Sequence, residues 1–550
     1  MTRQVQLLIF FALVAYLTLF HALGDLPFLG SDEPRYARIG EEMAVSGDFV
    51  TPTLERRPWM EKPPLLFWVE ALSFRVLSPS ELSARLPVAI FGLLGALAAA
   101  FFARFLEGER AGLITFLALL TNFLYVVYSR AASTDLLFAT TLSVSLMCGF
   151  LASWTPGRIW PAASGLFLGL AVLAKGPVAL VLFGGVFLVH FGIAQKKYWN
   201  RFQVLLGSGV FLLTAVPWFV LVWIENGHNF FMTFWVNHHL ARFVTDLHHH
   251  RQPIWFYVPV LLVGLFPWSC FLGSAVVRTW RERRELRKPR NQGVLFLWIW
   301  ACIPLIFFSL SSSKLPGYIL PAVPPLVLLA ALEWERYLSG SLSTYLPMRR
   351  QLASMGILSV AFAAALALGF YFVYDAPWVG AACAVPILVT GIWGQHEFRK
   401  RRSVALFTVL VSGMTLTFAL LHSLAGPVLA DFHSTRGLCV LARPRISDAE
   451  PLILYRFFHH TARFYADYQT TTSSLNSPDE LSEYVCRARQ DKHLVLTTEH
   501  GWNELSGLFG AVLVGREGNF YLLELDSQTV TCSAKEDAHD ERERVPDREP

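Results

Sequence analysis

Long, nearly uninterrupted runs of apolar residues recur along the chain from the N-terminus to about residue 425. They lack the apolar–polar alternation of half-buried strands, so each run is typical of a helix. A helix needs roughly 20 mostly apolar residues to cross a hydrocarbon core of about 30 Å. The pattern predicts about thirteen spans, near residues 5–23, 86–106, 112–128, 136–151, 162–174, 178–194, 204–223, 255–277, 294–310, 318–332, 352–374, 379–393 and 404–424.

Composition excludes a soluble protein of this size. Hydrophobic residues make up 54% of the 550 residues and charged residues 16%, and the mean hydropathy is +0.44. Only helices and closed barrels satisfy the backbone within lipid, and long unalternating runs are helical. We therefore expect a polytopic all-α membrane domain over residues 1–425.

Basic residues set the predicted orientation. Loops rich in Lys and Arg at residues 196–201, 278–290, 349–350 and 399–402 alternate with poorly basic loops, and basic loops stay in the cytoplasm. The N-terminus is then cytoplasmic, and the loops 24–85, 129–135, 225–253 and 311–317 lie outside together with the C-terminus. These cytoplasmic loops account for the net charge of +5, so the charge gives no support for a nucleic-acid partner.

The pattern changes after residue 425. Short apolar runs at 452–455, 494–497, 511–514 and 520–525 predict strands, and 477–489 predicts a helix capped by Ser477. We expect a small α/β domain over 426–532, followed by a charged, disordered tail at 533–550. One disulfide is chemically permitted among Cys439, Cys486 and Cys532, but its pairing cannot be read from the sequence.

The first predicted outside loop carries two polar motifs, Asp32-Glu33-Pro34-Arg35-Tyr36 and Glu61-Lys62-Pro63-Pro64. Helix capping is the simpler interpretation of the two carboxylates in the first motif. The loop also concentrates basic residues, which outside loops usually lack, and this indicates an anionic ligand such as a phosphate. These residues are Arg35, Arg38, Arg56, Arg57 and Lys62. The following segment, 63–76, predicts an amphipathic helix that lies in the membrane interface.

Further polar residues lie at the predicted outer ends of other spans. They are Arg130, Asp135, Lys175, Arg242, Lys314 and Tyr318. Snorkelling to the membrane surface is the simpler interpretation of Arg130 and Lys175. A carboxylate is too short to snorkel far, so Asp135 is the stronger candidate for a functional group.

Together these motifs resemble the 4-amino-4-deoxy-L-arabinose lipid A transferase family, within the protein O-mannosyltransferase-like C-type glycosyltransferases. The matching stretches are Asp-Glu-Pro-Arg-Tyr-Ala, Glu-Lys-Pro-Pro-Leu, Thr-Asp, Ala-Lys-Gly-Pro, His-Leu-x-Arg-Phe and Lys-Leu-Pro-x-Tyr-x-Leu-Pro, in family order. The resemblance implies a multi-pass protein of the bacterial inner membrane with an active site on the periplasmic face. It implies transfer of a sugar from undecaprenyl phosphate to lipid A.

The resemblance also implies roles for individual residues. Asp32 and Asp135 are the catalytic carboxylates. The carrier-lipid phosphate is bound by Lys62, Arg242, Tyr318, Lys314 and Arg35, with support from Glu61, Glu33, Tyr36 and Lys175. Fixed cations near the leaving phosphate and a carboxylate near the sugar would stabilise the charges that develop during displacement.

A cofactor is not required for this chemistry, but a divalent metal such as zinc is an alternative. Glu61, His238 and His239 are the candidate ligands, although no fixed ligand spacing is present. Two other functions remain open from the residues alone. One is transfer of a related sugar to a protein hydroxyl or a surface glycan, and the other is lipid transport without catalysis, which the position of the carboxylates at one membrane border disfavours.

Overall fold

The computed structural model describes residues 3–194, 199–234, 252–340, 342–447, 450–467, 471–488 and 491–530. Two compact units divide the chain. The first comprises Met1–Phe28 and Arg35–Leu429, and the second comprises Leu29–Pro34 and Ala430–Pro550.

The first unit is helical. Its helices are α1 Arg3–Ala15, α2 Asp32–Ser46, α3 Leu65–Leu77, α4 Glu81–Glu107, α5 Glu109–Leu120, α6 Phe123–Ser129, α7 Thr134–Trp154, α8 Ile159–Lys175, α9 Val178–Ala194, α10 Arg201–Phe230, α11 Tyr257–Gly264, α12 Ser269–Arg281, α13 Gln292–Leu310, α14 Val323–Leu338, α15 Leu342–Phe372, α16 Pro377–Arg399, α17 Ser403–Leu420 and α18 Gly426–His433. A π-helical turn, Tyr16–Phe20, extends α1, and a 3-10 segment, Pro316–Ala322, leads into α14. The strands β1 Thr53–Leu54 and β2 Arg57–Pro58 form a small hairpin between α2 and α3.

Among the described residues, eight helices are long and apolar enough to cross a membrane. Two bent pairs, α5 with α6 and α11 with α12, bring the number to ten, and three shorter apolar helices occupy the remaining predicted positions. Each predicted span therefore has a helical counterpart, and the prediction of a polytopic helical membrane protein is confirmed.

The two bends have local causes. Asn122 ends α5 and caps α6, because its side chain accepts a hydrogen bond from the Tyr125 amide at 2.9 Å. Pro267 lies between α11 and α12 and has no N–H with which to continue a helix. The α8–α9 connection needs only Gly176 and Pro177, and Gly176 adopts φ +85°, which favours glycine.

The second unit contains a five-stranded sheet in the order β4-β3-β5-β7-β6. Its strands are β3 Leu452–Tyr455, β4 Thr471–Leu475, β5 Lys492–Thr498, β6 Val512–Glu517 and β7 Phe520–Asp526. Strands β4, β3 and β5 are parallel, and β7 and β6 extend the sheet in antiparallel fashion. The helices of this unit are α19 Arg436–Ala442, α20 His460–Tyr465, α21 Pro478–Arg487 and α22 Glu499–Phe509.

Both faces of this sheet are covered by helices. Leu452 and Leu454 of β3 point into one core with α19 and α20, and Ile453 and Tyr455 point into the other with α21 and α22. Burial on both faces explains why β3 reads as a continuous apolar run. Ser477 caps α21 as predicted, because its side chain accepts a hydrogen bond from the Glu480 amide at 3.2 Å. The unit is the predicted α/β domain, and Cys486 within it is disulfide-bonded.

Candidate active site

Asp135 and Lys175 meet where two neighbouring helices end. Asp135 lies in the first turn of α7, and Lys175 is the last residue of α8. Nζ of Lys175 and Oδ1 of Asp135 form an ion pair, with 11% and 19% of the respective side chains exposed. The helix dipoles favour this arrangement, because a carboxylate lies at an N-terminus and an ammonium at a C-terminus. The snorkelling interpretation of Lys175 is therefore wrong.

Gly317 and Tyr318 close one side of this pair. The Tyr318 ring centroid lies 4.4 Å from Nζ of Lys175, within cation–π range. A Cβ on Gly317 would lie 2.3 Å from Oδ2 of Asp135 and 2.7 Å from a ring carbon of Tyr128. The close approach of this loop to the carboxylate therefore requires glycine. These five residues are called the Asp135 cluster below.

Tyr257 and Lys314 fix the loop that carries Gly317. The Tyr257 hydroxyl donates to the carbonyl of Leu315 at 3.3 Å, and its ring is buried. The buried ammonium of Lys314 donates to the carbonyls of Ser311 at 2.6 Å and Gln252 at 3.0 Å. Lys314 thus positions the loop, and its predicted contact with the carrier phosphate stays a prediction.

Two arginines bind the chain at the end of the first helix. Arg130 donates to backbone carbonyls at the end of this helix, and Arg85 donates to carbonyls of the segment that follows it. The acceptors are Thr18 and His21 for Arg130, and Leu23, Leu26 and Pro27 for Arg85. Burial and the charge of Arg85 lower the pKa of Arg130, an effect that Asp25 opposes. These bonds show that snorkelling is also the wrong interpretation of Arg130.

Arg35 and Tyr36 belong to an aromatic cluster. The Arg35 guanidinium carbon lies 5.3 Å from the Tyr36 ring centroid and 5.5 Å from that of Trp59. The rings of Tyr36, Trp59 and Phe67 have centroids 5.8 to 6.1 Å apart. The cluster joins the start of α2 to the start of α3. The predicted role of Tyr36 in supporting the phosphate site stays a prediction.

Glu61 and Lys62 lie between these two helices in sequence, in the loop that leads into α3, and both are half-buried. With 13 residues, α3 is too short to span a bilayer. It buries Phe67 and Phe74 but leaves Leu72 56% and Val76 81% exposed. An exposed apolar face on a short helix is the pattern expected of the predicted interfacial helix.

Glu42 was not identified from the sequence, yet it organises the first loop. Its carboxylate accepts hydrogen bonds from the amides of Glu55 at 2.7 Å and Arg56 at 3.0 Å, and from the Thr53 hydroxyl at 2.7 Å. Arg38 contributes an ion pair at 3.2 Å. Glu42 thus fixes the β1–β2 hairpin against α2 by accepting several hydrogen bonds from it.

The turn of this hairpin has an unusual backbone. Glu55 and Arg56 adopt φ angles of +57° and +61°. Left-handed geometry costs a non-glycine residue about 1–2 kcal/mol, and two-residue hairpin turns of this kind usually contain Asn-Gly. The two amide bonds to Glu42 help to offset that cost.

The same loop is bonded to α10. The Thr51 hydroxyl donates to Oε2 of Glu225 at 2.8 Å and accepts from Nδ2 of Asn226 at 2.8 Å. The indole of Trp218 donates to the Val50 carbonyl at 2.9 Å. No motif in the sequence identified these contacts, because they join segments far apart in the chain.

Asp32 and Glu33 fall in the segment Leu29–Pro34, which clusters with the second unit. Both lie in the first turn of α2. Glu33 is buried, and its Oε2 accepts from the Leu29 amide at 3.1 Å, so it makes the kind of helix-start contact that the capping interpretation expected. Asp32 is exposed. Its catalytic role, and its partnership with Asp135, stay predictions.

Three predicted site residues, Arg242, His238 and His239, lie outside the described residues. Within the described part of the chain, no group of three or more His, Cys, Asp or Glu side chains is arranged to hold a metal ion. Because two of the three predicted ligands are not described, the prediction of a metal site is not tested.

The helices and the order of the motifs define a polytopic membrane protein with a C-type glycosyltransferase fold. The crystal structure of ArnT from Cupriavidus metallidurans bound to undecaprenyl phosphate matches with a TM-score of 0.78 and 25% identity, over 96% of this chain and 99% of that chain. Residues 5–238 match the family model for dolichyl-phosphate-mannose-protein mannosyltransferase.

Curated relatives identify a narrower family than the family model does. The undecaprenyl phosphate-alpha-4-amino-4-deoxy-L-arabinose arabinosyl transferase of an Enterobacter species is 31% identical over 70% of this chain and 67% of its own length. The enzyme of the same name from Erwinia tasmaniensis is 32% identical over 63% of this chain. The chain belongs to the undecaprenyl phosphate-alpha-4-amino-4-deoxy-L-arabinose arabinosyl transferase family, and the resemblance seen in the motifs is confirmed. The matched region spans 61% of the length of the Erwinia relative and 54% of that from Edwardsiella ictaluri.

Proposed function

We propose that this protein transfers 4-amino-4-deoxy-L-arabinose from undecaprenyl phosphate to a phosphate of lipid A. The observation that carries the proposal is the Asp135–Lys175 ion pair beside Tyr318, in a chain of this family. A fixed carboxylate and a fixed cation, both largely shielded from water, suit a displacement that separates charge.

The chemistry assigns different work to the two kinds of side chain. Cleavage of the bond between the anomeric carbon and the carrier phosphate leaves negative charge on the phosphate, which Lys62, Arg242 and Tyr318 bind in this proposal. Asp32 and Asp135 face the positive charge that develops on the sugar. Direct attack by the acceptor inverts the anomeric carbon.

The acceptor determines whether a general base is needed. A lipid A phosphate is already anionic at neutral pH, so it attacks without losing a proton. A protein or glycan hydroxyl would require Asp32 or Asp135 to remove one. The names of the relatives give the sugar and its carrier, and the lipid A assignment rests on the resemblance of the motifs.

The decisive experiment is mass spectrometry of lipid A from a deletion strain, from the same strain complemented with this gene, and from one complemented with the Asp135→Asn variant. We expect a pentosamine-sized addition only with the wild-type gene. Unmodified lipid A together with a new sugar on a protein or surface glycan would refute the lipid A assignment and support the alternative acceptor.

We also propose that the active site faces the periplasm. A reporter fused after Leu424 should be active only outside the cytoplasm, and one fused at Arg284 only inside. The opposite pattern would place the Asp135 cluster on the cytoplasmic side and refute this proposal.

A further inference from the structure

The hairpin between α2 and α3 presents two adjacent arginines, Arg56 and Arg57, and both are exposed. No ion pair or side-chain hydrogen bond joins either guanidinium to any residue in the described part of the chain. Arg38 differs, because it pairs with Glu41 at 3.1 Å and Glu42 at 3.2 Å. Two neighbouring cations that have no carboxylate partner in the described ranges form a surface suited to an external anion.

The backbone holds these arginines in a defined place. Arg56 occupies the left-handed turn that Glu42 fixes through two amide hydrogen bonds, and Arg57 lies opposite Leu54 in the hairpin. The amide of Trp59 adds a bond to the carbonyl of Pro52 at 2.8 Å. A loop that only connected two helices would not need the Glu42 carboxylate to hold a turn made of non-glycine residues. The geometry therefore favours a role for the side chains at the tip of the hairpin.

The hairpin also leads directly into the segment predicted to bind the carrier. Four residues separate Arg57 from Lys62, and Trp59, between them, packs against Arg35. The chain therefore offers one set of cations predicted to bind the donor phosphate and, just before it in sequence, a second set that has no carboxylate partner among the described residues. A transfer between two lipids needs to bind two phosphate-bearing headgroups.

We propose that Arg56 and Arg57 bind the phosphate monoester headgroup of a lipid, which under the proposed function is the acceptor. A phosphate monoester carries about −1.5 to −2 charges at neutral pH, which two guanidinium groups balance. The planar guanidinium also donates two parallel hydrogen bonds to phosphate, which an ammonium cannot do. This inference rests on the proposed function for the identity of the lipid, but not for the binding itself.

The test uses the full-length protein in nanodiscs of zwitterionic lipid. Binding of lipid A, dephosphorylated lipid A and undecaprenyl phosphate is measured for the wild type, for Arg56→Gln/Arg57→Gln and for Arg56→Lys/Arg57→Lys. Arg349→Gln/Arg350→Gln is the matched control, because it removes an equally exposed adjacent pair from the start of α15. Acceptor KM is measured in parallel.

We expect the Arg56→Gln/Arg57→Gln variant to bind lipid A about tenfold or more weakly, with unchanged affinity for undecaprenyl phosphate. The double lysine variant should recover part of the loss, and the control should match the wild type. An equal loss for both lipids, or no loss for lipid A, would overturn the proposal. So would competition by phosphatidylglycerol as effective as that by lipid A, which would indicate general attraction to an anionic membrane.

The outcome is separable from that of the proposed function. If the wild type binds lipid A through these arginines but transfers no sugar to it, the proposed function fails and the assignment of the hairpin stands. If transfer proceeds with unchanged acceptor KM in the glutamine variant, the function stands and the hairpin assignment fails.

Discussion

Two groups of ion-paired side chains lie at opposite ends of α14 and the 3-10 segment that precedes it. Tyr318 at one end belongs to the Asp135 cluster, and Glu333 near the other end pairs with Arg278 and Arg336. Arg336 also forms an ion pair with Glu107, at 3.4 Å. We call Glu333, Arg278, Arg336 and Glu107 the Glu333 network. Both groups join helix ends through ion pairs, yet we assign a reaction to only one.

The residues that each ion pair contacts explain why we assign a reaction to only one of the two groups. Both oxygens of Glu333 bind arginines, so the Glu333 network is satisfied by its own residues. In the Asp135 cluster, the ammonium of Lys175 contacts both the Asp135 carboxylate and the Tyr318 ring. Gly317 allows its loop to lie close to that carboxylate. A buried ion pair by itself is therefore weak evidence for function. The residues around the pair determine whether a function can be inferred.

The Asp135→Asn variant gives the largest expected effect. The amide keeps the shape of the side chain but removes the charge that pairs with Lys175 and that faces the sugar in the proposed function. We expect turnover to fall roughly 100-fold to 10,000-fold while the protein still inserts and purifies. Transfer in nanodiscs, with thermal unfolding as the control, measures both. Near-wild-type turnover would make the Asp135 pair structural, like the Glu333 network.

Glu333→Gln should show the opposite pattern. Its loss removes the buried carboxylate that pairs with the partly buried Arg278, at a cost of roughly 3 kcal/mol in folding free energy. Transfer per folded molecule should not change. Glu335→Gln is the control, because Glu335 pairs with the exposed Arg110 at 3.6 Å and such pairs contribute less than about 1 kcal/mol. A loss of turnover in Glu333→Gln larger than the loss of folded protein would contradict the comparison.

Gly317→Ala gives a smaller effect. The added methyl would overlap Oδ2 of Asp135 and the Tyr128 ring, so the loop must shift away from the carboxylate. We expect turnover to fall about tenfold, corresponding to about 1.4 kcal/mol, with little change in carrier binding. Gly209→Ala in α10 is the control, since nothing lies within 4 Å of the added Cβ. Equal effects in the two variants would show that the close packing at Gly317 is not needed for turnover.

Removal of divalent metals should have the smallest effect. Fixed cations are expected to neutralise the carrier phosphate without a metal. Dialysis against a chelator should therefore change transfer less than about twofold, a difference too small to assign to a barrier change. A loss of activity that zinc restores would instead support the ligand set of Glu61, His238 and His239.

The helices were predictable because periodicity and hydropathy are local properties. The position of Asp135 at a helix start, and those of Lys175 and Tyr318 at span ends, also followed from the sequence. Their contact did not, because Lys175 and Asp135 are 40 residues apart and only helix packing brings them together. The snorkelling interpretation failed for this reason.

Other features carried no sequence signal. Glu42 looks like any acidic residue on an exposed helix, and its role comes from a turn that folds back onto α2. Strand β4 has the polar sequence Thr-Thr-Ser-Ser-Leu and lies at a sheet edge, so it shows no apolar pattern. Long-range contacts and the polar edge strand β4 therefore had to come from the structure.

The central claim is that cations bind the carrier phosphate while carboxylates act on the reacting sugar. The most direct test compares the affinity for undecaprenyl phosphate with single-turnover transfer in nanodiscs for Lys62→Ala and Asp32→Asn. Loss of Lys62 removes a contact that persists through the reaction, so affinity and rate should fall together. Asp32→Asn should keep carrier affinity near that of the wild type while single-turnover transfer collapses. Equal loss of carrier affinity in both variants would contradict this division of labour and make Asp32 a structural residue.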